Sequence, residues 1–179
     1  MSDWQLAQLN IARMVAPIDS PPMADFVANL PRINATAESS RGFVWRLMTP
    51  AGDATGVDHP FDADVIVNLS VWRDVEALRA FTYRTGHADI MRRRREWFVR
   101  ESVANLVLWW VPAGHEPSVV EAHGRLEGLR ANGPTPEAFT FRHAFPPPDA
   151  TADGNEEAEE GAGTSRSAAR RTDGDRPAL

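Results

Sequence analysis

Cysteine and lysine are both missing from this chain of 179 residues. Without a thiol the polypeptide has no cysteine nucleophile, no disulfide, no thiolate zinc site and no cysteine-ligated cluster. Without a primary side-chain amine it has no Schiff-base chemistry, no lysine-anchored pyridoxal phosphate and no Walker-type phosphate loop. All 19 basic residues are therefore arginine. Tyrosine is nearly missing as well, with Tyr83 alone set against six tryptophans. No apolar run approaches the length that crosses a bilayer. No basic start leads into an apolar segment either, because Met1 to Asn10 reads as an amphipathic strand. A soluble, cytoplasmic protein without a membrane partner is expected. The net charge of −6, part of it in the C-terminal tail, argues against a nucleic-acid partner.

The rest of the chain patterns well. Trp4 to Arg13 alternates, with Ala7, Leu9 and Ile11 on one side and Trp4, Leu6, Gln8 and Asn10 on the other. Ser20 and Pro21 open a helix with Phe26, Val27 and Leu30 as its buried stripe. Pro31 is expected to break or kink that helix near Leu30, while Ile33, Asn34 and Ala37 continue the stripe, which points Asn34 inward if the helix resumes. Phe43 to Met48 and Val65 to Trp72 read as strands, and Asp74 as the cap of a helix presenting Val75, Leu78 and Phe81 to the sheet. Asn105 to Val111 is apolar on both faces, as in a strand covered on both sides. Ser118 to Glu121 forms a capping box for a helix with Val119, Ala122, Leu126 and Leu129 inside, stopped at Asn132-Gly133-Pro134. Phe139 to Phe145 reads as a last strand. Two regions result: an ordered domain over residues 1–146, and an acidic and polar tail over 147–179 that lacks the apolar residues to offset its ordering entropy.

The stretch from His87 to Phe98 is the candidate for chemistry. At helical spacing Ile90, Met91, Arg94, Trp97 and Phe98 share a face with His87, so an apolar stripe carries one imidazole and one guanidinium. Burying a charge is costly unless it is paired. His87 is thus a candidate acid or base and Arg94 an anion clamp. The competing reading has His87 capping the helix and Arg94 bonded to a carboxylate or carbonyls in the core. Asn10, Asn34 and Asn68, with Trp45, Trp72, Trp97 and Trp110, would supply a small apolar pocket with a few orienting amides; equally, the sheet amides would only bond each other. His115, Glu116 and His123 lack ligand spacing, so no metal site is expected. The arginine run 92–95 points around most of a helix, with Asp89 to Arg93 and Glu96 to Arg100 as i, i+4 pairs, and reads as a solvated face.

The order strand, helix, strand, strand, helix, strand, followed by a helix and a strand, is an α+β ferredoxin-like plait with an antiparallel sheet and a C-terminal helix-strand extension. Helices cover one face of such a sheet. The other, carrying Trp45 or its neighbours, Trp72 and one of Trp109 and Trp110, is expected to meet the sheet of a second subunit, giving a homodimeric α+β barrel.

The run V-W-R-D-V-E-A-L-R-A-F-T-Y-R-T-G-H resembles the strand and helix of the antibiotic-biosynthesis monooxygenase-like, dimeric α+β-barrel superfamily. G-F-V-W-R-L, R-R-R-R-E-W-F, W-W-V-P-A-G-H-E-P and G-P-T-P-E-A-F-T-F resemble an uncharacterised bacterial family within it, known only as a domain of unknown function; the resemblance runs from Trp4 to Phe145. It implies the fold above and a choice among cofactor-free oxygenases, haem-binding and haem-degrading proteins, isomerases and proteins without known activity. Asn10 and His87 match the first-strand Asn and helical His of haem-degrading members. Trp72 departs from their pattern, because it ends a strand and Phe81 and Tyr83 occupy the helix before His87. The expectation is a protein that binds a small, largely apolar, aromatic molecule. It would act as a cofactor-independent monooxygenase or isomerase, or alternatively as a non-catalytic carrier with haem as one testable ligand.

Overall fold

Strand β1, Trp4–Arg13, runs through the middle of the sheet because its alternation leaves one face purely apolar and the other only partly so. The computed structural model describes residues 3–49, 52, 54, 58–84 and 93–148. Beyond β1 it contains α1 (Ala24–Glu38), β2 (Phe43–Arg46), β3 (Val65–Trp72), α2 (Val75–Arg84), β4 (Leu106–Pro112) and α3 (Val119–Asn132). The sheet order is β2-β3-β1-β4, and all three pairings are antiparallel. With one helix between β1 and β2 and one between β3 and β4, this is the ferredoxin-like plait. Met1–Pro147 form one compact unit and Pro148–Leu179 another, in which only Pro148 is described; the fold here is that of the first. From residue 149 onward the expected tail lies outside the described residues. No helix among the described residues is long and apolar enough to cross a membrane.

The purely apolar sheet face carries Ala7, Leu9 and Ile11 of β1, Val65, Val67, Leu69 and Val71 of β3, and Val107, Trp109 and Val111 of β4. Helix α3 lies on it through Val119, Ala122, Leu126 and Leu129, and every one of these sheet residues is buried. Where the expectation put a second subunit's sheet against one face, this face, with Trp45 and Trp109, is instead covered by the chain's own helix, while Trp72 lies on the other face. The capped amphipathic helix contributed by the same chain covers this apolar surface. Its start is secured by the Ser118 side chain, which accepts the Glu121 N–H at 3.1 Å.

Four further differences have local causes. Helix α1 passes through Pro31 without ending, since Phe26 and Ala37 are buried on either side of it and Pro31 itself is exposed. Val27, expected in the stripe, is 38% exposed. No strand spans Phe139–Phe145: Phe139 makes a two-way backbone bridge to Leu108, and Thr140 and His143 then close a turn. The helix expected to reach Phe98 is, over its described part, a short 3-10 turn at Arg94–Glu96. Phe98 instead bridges Met14, and Val99 donates to the Arg13 carbonyl at 2.9 Å, so pairing with the end of β1 draws the chain out of helix.

Candidate functional site

The second sheet face presents Leu6, Gln8, Asn10 and Ala12 from β1 and Ile66, Asn68, Ser70 and Trp72 from β3. Cross-strand register sets Gln8 opposite Ser70 and Asn10 opposite Asn68. Helix α1 buries Phe26 and Ala37 and half-buries Leu30 and Ile33, which pack in one cluster with Ile66 of the sheet. Between α1 and the sheet lies a cavity of about 370 Å³. One end is walled by Trp72, Phe43, Phe81 and Leu78, the other by Phe26, Leu30, Ile33 and Phe98, with amides between them. This volume and composition are those of a small-molecule site.

Five residues expected at the site line this cavity: Asn10, Asn34, Asn68, Trp72 and Arg94. Three do not. Trp45 lies on the α3 face, because a bulge between Phe43 and Trp45 pairs Phe43 with Trp72 but Trp45 with Val71 and so turns the second side chain through the sheet. Trp97 is buried with Met23 and Phe26 outside the lining, its ring under the Arg93 guanidinium at 4.7 Å. Trp110 packs against Phe139 and donates its indole N–H to the Phe145 carbonyl at 2.8 Å. His87 lies outside the described residues. Gln8, Ser70, Arg46 and Asn105 also line the cavity and were not anticipated. Strand alternation carried a signal for the first two, which share the face of Asn10 and Asn68; nothing local marks Asn105.

The polar groups divide into those already engaged and those left open. Asn10 donates to the Asn105 carbonyl at 3.2 Å. Arg46 is held by Glu38 at 2.8 Å and by the Gly52 carbonyl at 3.0 Å. Among the described residues, the half-buried Arg94 guanidinium has no hydrogen-bond or ion-pair partner, and the lining contains no carboxylate. The alternative of a core carboxylate on Arg94 therefore finds no support among them. The described histidines lie elsewhere: His115 meets Glu121 at 2.8 Å, His123 packs edge-on to Phe61, and neither His59 nor His143 lines the cavity. Among the described residues no group of three or more His, Asp or Glu is placed to hold a metal.

Beside the cavity, Asp74 caps α2 by accepting the Ala77 N–H at 2.7 Å. Burial pushes its carboxyl upward, but hydrogen bonds from Arg73 and from the Ala77 N–H, together with the Arg73 charge, outweigh this and hold it below the usual carboxylate value.

Comparison with solved structures finds SnoaB, a cofactor-independent oxygenase from Streptomyces nogalater, at 18% identity and a TM-score of 0.42, covering 64% of this chain and 97% of that one. It also finds the NE2512 protein of unknown function from Nitrosomonas europaea at 16% identity and a TM-score of 0.40, covering 65% and 97%. No curated protein matches. Residues 5–156 match a family model described as a domain of unknown function, DUF3291.

Proposed function

The chain belongs to the DUF3291 family, and from that premise we propose that it binds a small, largely apolar, aromatic molecule in the cavity between α1 and the sheet and oxygenates it without a cofactor. The observation that carries this reading is the Arg94 guanidinium, without a partner among the described residues, beside the amides of Asn10, Asn34 and Asn68 in a lining otherwise mostly apolar and free of carboxylates among its described residues. Such a lining stabilises an anion formed from the ligand more than it stabilises the neutral ligand, which is the requirement for lowering a barrier.

For an anthrone-like substrate the reaction balances without a further reductant. Loss of one methylene proton gives an enolate held by Arg94 and the amides, with His87 assigned as the base. Dioxygen then adds at the methylene carbon. The second hydrogen and one oxygen atom leave with the first proton as water, and the other oxygen remains as the new carbonyl, so the substrate supplies all four electrons.

Oxygen uptake with a panel of anthrones and quinols tests the reading. Uptake that is stoichiometric with quinone formation and lost in Asn68→Ala and His87→Ala is expected. Ligand binding without uptake would reduce the function to a carrier. Haem serves as the control ligand: a Soret shift abolished by His87→Ala would replace the oxygenase reading by a haem-binding one.

A further inference from the structure

Three buried polar groups in the cavity wall form a single directed chain. The Trp72 indole N–H lies 2.9 Å from Ser70 Oγ, Ser70 Oγ lies 3.1 Å from Gln8 Oε1, and Gln8 Nε2 lies 3.0 Å from the Asn68 main-chain carbonyl. Its direction is set by chemistry. An indole N–H only donates, so the Ser70 oxygen accepts. A main-chain carbonyl only accepts, so the Gln8 amide nitrogen faces Asn68 and its oxygen faces Ser70. The one Ser70 proton must then go to Gln8. All three side chains are nearly sealed, Gln8 and Ser70 at 6% exposure and Trp72 at 1%. The indole is held by rings as well, stacked on Phe81 at 5.0 Å and met edge-on by Phe43 at 5.4 Å.

We infer that Gln8 and Ser70 are positioning residues for the ligand site, turning the Trp72 N–H away from the ligand so that Trp72 offers ring surface alone and polar recognition passes to the Asn68 side chain. This rests on the cavity being the ligand site. Asn68 suits the role: it is exposed toward the cavity, and among the described residues its amide group has no partner. Removing the Ser70 hydroxyl would strand a buried indole donor, which is then satisfied only by rotating the ring or by recruiting the ligand.

The probe is 1,8-dihydroxyanthraquinone, followed by its visible absorbance and by nitrogen–proton correlation spectra of the indole and side-chain amide groups. In the wild type, saturation should shift the Asn68 amide signals and leave the Trp72 N–H signal in place and slow to exchange with solvent. Ser70→Ala should weaken the probe about tenfold, and Ser70→Thr, which keeps the hydroxyl, should restore affinity to within about threefold. A Trp72 N–H shift exceeding that of Asn68 overturns the inference, as does unchanged affinity in a folded Ser70→Ala; the wild-type spectrum alone decides where that variant does not fold. A probe that fails to bind the wild type, or binds Asn68→Trp equally well, overturns the ligand-site reading and this inference with it.

Discussion

Arg94 is half-buried, lines the cavity and has no side-chain partner among the described residues. A guanidinium in that position costs desolvation without return until an anion arrives. Arg94→Gln is therefore expected to leave the urea midpoint unchanged or raise it, while lowering the rate of oxygen uptake by about 10²-fold, the usual loss for one donor to a developing anion. A fall in stability would mean instead that the residue serves the fold. Asp74 behaves in the opposite way. Its carboxyl is held below the ordinary 3.8, so the stability it adds is complete above that value and fades as pH falls through the lower value of the folded state. Asp74→Asn keeps a capping acceptor at every pH. The gap between wild type and Asp74→Asn in denaturant midpoint should accordingly be constant near neutrality and close in acid.

Elements are positioned by a few local devices. Ser118 caps α3, and its replacement by alanine should cost about 1 kcal/mol in equilibrium unfolding. Gly42 sits at φ 86°, and a Cβ there would stand 2.6 Å from Ala77 Cβ. Both the left-handed backbone and the close approach of β2 to α2 thus demand glycine. Gly42→Ala should destabilise by about 1–3 kcal/mol. It should also loosen the Phe43 edge of the Trp72 wall, read as faster exchange of the indole N–H. The bulge in β2 matters as much, since it decides on which side of the sheet Trp45 lies. Strand alternation predicts the face of every residue until such an extra residue is inserted, and no residue type in F-V-W-R announces one.

For the molecule as a whole, the decisive feature is that α3 occupies the purely apolar sheet face. A chain whose apolar face is closed by its own helix has no hydrophobic requirement to pair through that face. Light scattering of the wild type is expected to give the mass of one chain. Leu126, fully buried on the sheet side of α3, tests the same point: Leu126→Ala should lose about 2–5 kcal/mol, and Leu126→Asp should expose the sheet and drive association. A stable wild-type dimer that Leu126→Asp leaves unaltered would place the interface elsewhere.

Periodicity and capping chemistry are local, and these the chain states for itself: the limits of β1 and β3, the Asp74 and Ser118 caps, the Gly133 stop and the order of elements that makes a ferredoxin-like plait. Alternation also assigned Asn10, Asn68 and Trp72 to one sheet face, and these side chains do line one hollow. Tertiary contacts decided the rest. Pairing with β1 drew Trp97 and Phe98 out of the expected helix, a bulge moved Trp45, and α3 docked on the apolar sheet face. Each of these outcomes depends on two segments distant in the chain competing for the same surface, and a pattern read along one segment holds no record of its competitor.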